Sequence, residues 1–104
     1  SMPNYNSLDY ETLSVSSSVV QLTGGVTGAR SFVGVVETNG VRMRTDGTDP
    51  TTTEGVLIAS GKRIVLSESE IASAEFIRDG SSDGVIKGHY YNIEASNFAP
   101  GIFA

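Results

Sequence analysis

Apolar positions along this chain come in short runs separated by Gly, Asn, Asp, Ser and Thr, and the runs alternate or are continuous rather than helically spaced. Leu13 and Val15 alternate with Ser14 and Ser16, but Val19, Val20 and Leu22 break the phase, which calls for a bulge or two short strands. Residues 31–37 hold Phe32, Val33, Val35 and Val36, a nearly continuous run suited to a strand covered on both faces or central in a sandwich. Asn39-Gly40 follows at once, and residues 41–44 alternate apolar with basic. Asn-Gly between two such runs predicts a β-hairpin with a type I′ turn, in which both central residues take positive φ. Val41 and Met43 would then face the core, and Arg42 and Arg44 solvent or a partner.

Asp46, Gly47, Thr48, Asp49, Pro50 and Thr51 form a dense turn sequence that predicts a structured loop, with Asp capping amides and Pro50 holding Asp49 extended. Short strands are expected over 56–58 and 64–66, with a turn at Ser60-Gly61 between them. Ser67 with Glu70 three residues on fits a capping box, so residues 68–74 should make one short helical turn. A strand over 75–78, a loop over 79–84 and a closing strand over 85–93 complete the pattern. In that last strand Ile86 and Tyr90 share one face, and Val85, Lys87, His89 and Tyr91 the other. The elements predict an all-β chain, a compact antiparallel β-sandwich, immunoglobulin-like or jelly-roll-like, of about six to eight strands with at most one short helical turn. Three regions are expected: an N-terminal arm over 1–11, the sandwich over 12–94, and an apolar tail over 95–104 carrying Phe98, Pro100, Ile102 and Phe103.

Composition sharpens this picture. Among 104 residues there are 14 Ser, 9 Thr and 12 Gly, a bias that disfavours helix interiors and suits strands and turns. The net charge of −5 repels phosphate, so a nucleic-acid partner is not expected. Without cysteine there is no disulfide, zinc-thiolate site or thiol nucleophile. The longest apolar stretches, 32–36 and 56–59, fall far short of the roughly 20 residues that cross a bilayer, and the first residues lack the pattern of a secretory signal, so neither membrane insertion nor export is expected.

Few residues invite chemistry. Asp46, Asp49 and Glu54, and separately Asp79 and Asp83, could offer oxygen ligands to a cation, but their spacing is not that of an EF-hand and turn capping is the expected role. His89 is the single histidine; in a strand between Gly88 and Tyr90 it reads as a surface or satisfied side chain rather than a general base. No G-x-S-x-G elbow is present, no pair of carboxylates stands out, and no Trp offers a sugar platform. Gly24-Gly25-x-x-Gly28 precedes no expected helix and carries no phosphate-binding expectation. No catalytic residue, cofactor or metal is therefore expected. Arg42 and Arg44, with Arg30 and Arg78, could form a local basic patch that meets acidic groups on a neighbouring subunit.

The stretch from Ala29 through Phe32-Val33-Gly34-Val35-Val36, Arg42-Met43-Arg44 and Asp46-Gly47-Thr48-Asp49-Pro50-Thr51 resembles small structural proteins of tailed bacteriophages and prophages, in which an apolar strand and an R-x-R strand precede a D-G-T-x-P-T loop. Gly55, then Leu66, Glu70, Ile71, Phe76, Ile77 and Arg78, and the closing Tyr90-Tyr91 pair extend the resemblance over roughly residues 29–91. It implies a non-enzymatic virion component: a head decoration, fibre or tail-associated protein, located in the virion, whose partners are further copies of itself, with a trimer expected, and other virion proteins. The run 41–51 is also similar to chitobiase C-terminal type immunoglobulin-like modules, which implies the alternative of a glycan- or surface-binding module. On these readings Asn39, Gly40, Asp46, Gly47, Asp49 and Pro50 build turns, and Arg42, Arg44, Tyr90, Tyr91, Phe98, Ile102 and Phe103 are the expected contact residues.

Overall fold

The computed structural model describes residues 7–98. Among them the chain forms β1 (Ser7–Val15), β2 (Ser31–Glu37), β3 (Val41–Arg44), β4 (Val56–Ile58), β5 (Arg63–Ser67), α1 (Glu68–Ser73), β6 (Glu75–Arg78), β7 (Gly84–Tyr91) and a 3-10 turn (Ala95–Asn97). Two antiparallel sheets result, a four-stranded one in the order β1-β7-β2-β5 and a three-stranded one in the order β4-β3-β6. Their inner faces share one core, with Phe32, Val36, Ile64, Leu66, Ile86 and Tyr90 from the first sheet meeting Val41, Met43, Ile58 and Phe76 from the second. The all-β sandwich is thus as expected. Its last strand inserts between β1 and β2, whereas the last strand of a constant-type immunoglobulin sandwich lies in the other sheet.

The Asn39-Gly40 hairpin does not form. β2 pairs with β5 and β7, and β3 pairs with β4 and β6, so residues 38–40 carry the chain from one sheet to the other. Val36 and Val41 both lie fully buried, one on each of the two sheets that share the core. The positive φ falls on Thr38, at 75°, where the Asn39 amide donates to the Glu37 carbonyl in a three-residue turn. The Asn39 side-chain amide ties this corner down by donating to the Asp79, Gly40 and Ser82 carbonyls. Gly84 lets the crossing chain approach, since a Cβ there would lie 2.5 Å from the Asn39 carbonyl oxygen.

Ser7 to Glu11, expected in an arm, belong to β1, whose register with β7 shifts between Ser7 and Asp9. The phase break after Val15 marks the end of β1. Val20 then makes an isolated antiparallel bridge to Phe76, with both N–H···O bonds at 2.8 Å, so the break is a strand followed by a single bridge rather than a bulge or two short strands. The capping box forms as expected: the Glu70 amide donates to Ser67 Oγ at 3.3 Å and the Ser67 amide donates to Glu70 Oε1 at 2.9 Å. Helix α1 ends at Ser73, one residue short of expectation, because Ala74 is already extended and leads into β6.

Two glycines make the core shape possible. Gly34 and Gly88 are register partners on β2 and β7, and the Phe32 ring lies over them. A Cβ at Gly88 would lie 2.5 Å from that ring and 2.4 Å from the Val33 carbonyl oxygen. The expected tail divides: residues 95–98 are ordered against β5 and β7, while Pro100, Ile102 and Phe103 lie outside the described residues.

Candidate functional site

The expected basic patch does not present free charge. Arg42 pairs with Asp79 through Nε at 2.9 Å and donates from Nη1 to the Gly55 carbonyl at 3.2 Å. Arg44 grips Asp46 with two bonds of 3.0 and 2.6 Å, Arg78 pairs with Asp83 at 2.7 Å, and Arg30 pairs with Glu94. Each cation therefore has its carboxylate within the same chain, so these arginines shape loops rather than leave a charged surface for a neighbour. The hydrogen bonds from Arg44 hold the Asp46 carboxyl down at about 2.

The loop over 46–55 is built as its sequence implies. Asp46 accepts from the Thr48 amide at 3.4 Å, Gly47 sits at φ 86°, Thr51 Oγ1 accepts from the Thr53 and Glu54 amides at 3.3 and 3.0 Å, and Pro50 is buried. Asp49 is brought to Glu75, across from Arg44 on β6, and its hydrogen bond and charge push the Glu75 carboxyl above its ordinary value. Among the described residues no group of three or more His, Cys, Asp and Glu side chains is placed to hold a metal ion.

Tyr90, expected at an interface, is fully buried. Its ring packs against Phe32 at 4.9 Å, and its hydroxyl donates to the Glu11 carboxylate while accepting from the Gly24 amide at 3.3 Å. Glu11 also accepts from the Thr23 amide and hydroxyl, so one inward carboxylate on the edge strand β1 staples the 23–25 loop over the Tyr90 ring. Gly25, at φ 71°, lies so close that a Cβ would meet that ring at 2.6 Å. Burial, and then the Glu11 hydrogen bond, raise the Tyr90 hydroxyl well above the usual tyrosine range.

The solvent-facing aromatic surface is made by other residues. Register places Tyr10, His89, Val33 and Val65 in one row across β1, β7, β2 and β5, on the face opposite the core. The Tyr10 and His89 rings meet edge-on at 5.1 Å, His89 lies 6.3 Å from Tyr91, and Tyr91 lies 5.1 Å from Phe98. Four rings thus run in sequence over the outer face, with Ser7 Oγ hydrogen-bonded to His89 Nδ1 at 2.7 Å. Tyr10 is 51% exposed. Of the expected contact residues Tyr91 and Phe98 take part in this run of rings; Tyr10 was not among them, because it lay in the expected arm. Carrying the inward phase of Val15 and Leu13 back to Glu11 would have set Tyr10 on the outer face, but a charged residue at the inward position hid that phase.

A cleft of about 740 Å³ lies between α1 and the 3-10 turn, with the Arg30–Glu94 ion pair, Ser67 and Ala72 in its walls. No protein-family model matches the chain, and neither a curated protein nor a solved structure matches it at a significant level.

Proposed function

We propose that this chain is a non-enzymatic structural component of a tailed-bacteriophage particle, a head decoration, fibre or tail-associated protein, acting by self-association and by docking on capsid or tail proteins. The resemblance over residues 29–91 motivates the setting. The observation that carries the reading is the position of β1: nine residues long, it is an edge strand of the four-stranded sheet among the described residues, the place where a sheet takes on a strand from another chain. Repetition on a particle multiplies such contacts, so a modest single contact suffices. Light scattering across a concentration series tests it. A stable multiple of 10.9 kDa, with a trimer expected, together with co-sedimentation with purified virions supports the reading. A strict monomer that also ignores virions refutes it.

The exposed Tyr10 and His89, with the half-buried Tyr91 beside them, favour a second reading, a glycan- or surface-binding module, because rings flanked by hydroxyl and imidazole groups suit the apolar faces of sugars. A glycan array without saccharide-specific signal removes that reading.

A further inference from the structure

Charge is unevenly placed on this acidic chain. Beside the outer row that holds Tyr10 and His89 runs a second one, in which register aligns Thr12, Lys87, Val35 and Arg63 across the same four strands. The two rows are two residues apart along the strands, about 7 Å. The sequence holds twelve Asp and Glu, yet among the described residues Glu37 is the one carboxylate at an outward position of those strands. Glu37 lies 3.5 Å from Lys87 Nζ and both side chains are nearly half exposed, so this is a loose surface pair that leaves ammonium donors for a ligand. Arg30, Arg42, Arg44 and Arg78, by contrast, are each engaged by a carboxylate away from this face. The neighbouring rings are held in place: the Thr12 hydroxyl donates to the Tyr10 hydroxyl at 3.2 Å, and Ser7 Oγ is bonded to His89 Nδ1 at 2.7 Å.

We infer that this face takes a saccharide that carries a carboxylate, a uronic or sialic acid unit, with the sugar ring against Tyr10 and its carboxylate on Lys87. The inference rests on the saccharide-binding reading and narrows it to acidic sugars. The apolar face of a sugar ring loses water against an aromatic ring that is already held, so little freedom is lost on binding. A cation one row away, about 7 Å along the strands, then meets the carboxylate through a charge-assisted hydrogen bond. Charges beyond about 8 Å are largely screened at physiological ionic strength, so the acidic loops elsewhere do not cancel the attraction of Lys87. Arg63 adds a second positive charge to the same row. A peptide carboxylate would meet Lys87 equally well but brings no sugar face to Tyr10.

Isotope-labelled protein is titrated with sialyllactose and with tetragalacturonate, each beside a neutral counterpart, lactose and the methyl ester of tetragalacturonate. Amide signals of Tyr10, Lys87 and His89 should shift with at least one of the acidic sugars, and which one responds tells sialic from uronic acid. That sugar should bind about tenfold more tightly than its neutral counterpart. Lys87→Gln should remove this advantage and leave binding of the neutral sugar unchanged, whereas Tyr10→Ala should weaken both. Lys62→Gln deletes the same charge from the exposed turn before β5 and should change neither. Unshifted amides of Val36 and Ile86 in each variant show that the core is kept. Equal binding of acid and neutral counterpart overturns the inference and leaves the saccharide reading standing; no binding of any of the four sugars overturns both. The inference also falls if Lys62→Gln costs as much as Lys87→Gln, since net charge and not the site then governs binding. Polyglutamate that binds this face as tightly as the acidic sugars points to an acidic protein partner and overturns it too.

Discussion

Tyr90→Phe isolates the polar staple that closes the 23–25 loop over the core. The substitution keeps the ring against Phe32 and removes one hydroxyl, which donates to Glu11 and accepts from the Gly24 amide. A hydrogen bond to a charged acceptor contributes about 1.5–3 kcal/mol, and an amide left unsatisfied costs a comparable amount when it stays dry. Glu11 keeps the Thr23 amide and hydroxyl as donors and is only half-buried, so water recovers part of the loss. The expected destabilisation is therefore about 2 kcal/mol. With a slope near 1.5 kcal/mol per M, the urea midpoint should fall by about 1.3 M. The pH dependence gives a second readout. The Tyr90 hydroxyl is raised above its ordinary value of 10.0, so the folded state favours the protonated form. Its stabilising contribution is complete below that ordinary value and is lost progressively as pH rises above it. The wild-type chain should thus lose stability above about pH 10 while Tyr90→Phe lacks that loss, and the gap between the two should narrow there. Equal urea midpoints at neutral pH, or a gap that stays constant into alkali, would refute the assignment.

Three further outcomes are expected. Gly88→Ala should destabilise by about 3 kcal/mol or more, because the new Cβ meets backbone at 2.4 Å and the Phe32 ring at 2.5 Å, where no flexible side chain can give way; urea unfolding reads this, and Gly47→Ala, at φ 86° with open space around the added Cβ, serves as the comparison for conformational cost alone. Ser67→Ala removes the acceptor for the Glu70 amide and should cost about 1 kcal/mol, read as a fall in thermal midpoint that Ser67→Thr does not show. Glu75→Gln removes the repulsion with Asp49; the raised carboxyl of Glu75 means that stability is greater at acid pH and falls as pH rises through its titration, so the variant should melt higher than wild type at neutral pH and the difference should vanish on acidification.

Much of the local structure was legible because it rests on interactions within a few residues. The Ser67–Glu70 box, the Asp46 to Pro50 loop and the alternation of Ile86 and Tyr90 against Lys87 and His89 each follow from a side chain and its near neighbours in sequence. Asn39-Gly40 failed for the opposite reason. Turn chemistry specifies that the chain bends, not which strand it pairs with afterwards, and the burial of Val36 and Val41 on facing sheets outweighs the local preference for a hairpin. The arginines of β3 misled likewise: their outward phase was right, but their charge is met by Asp79, brought from a loop 37 residues on, and by Asp46.

What the sequence by itself determined is the strands β2 to β7 to within a residue or two, the inward faces of β3 and β7 and the capped helical turn, all consequences of side-chain period and local hydrogen bonding. Tertiary structure decided the rest: that β7 lies between β1 and β2, that Tyr90 belongs to the core with Glu11 as its partner 79 residues away, and that the rings of Tyr10, His89, Tyr91 and Phe98 follow one another on the outer face. Those relations join residues far apart in the chain, and they exist only once two sheets exclude water between their apolar faces, a condition that depends on all the strands together.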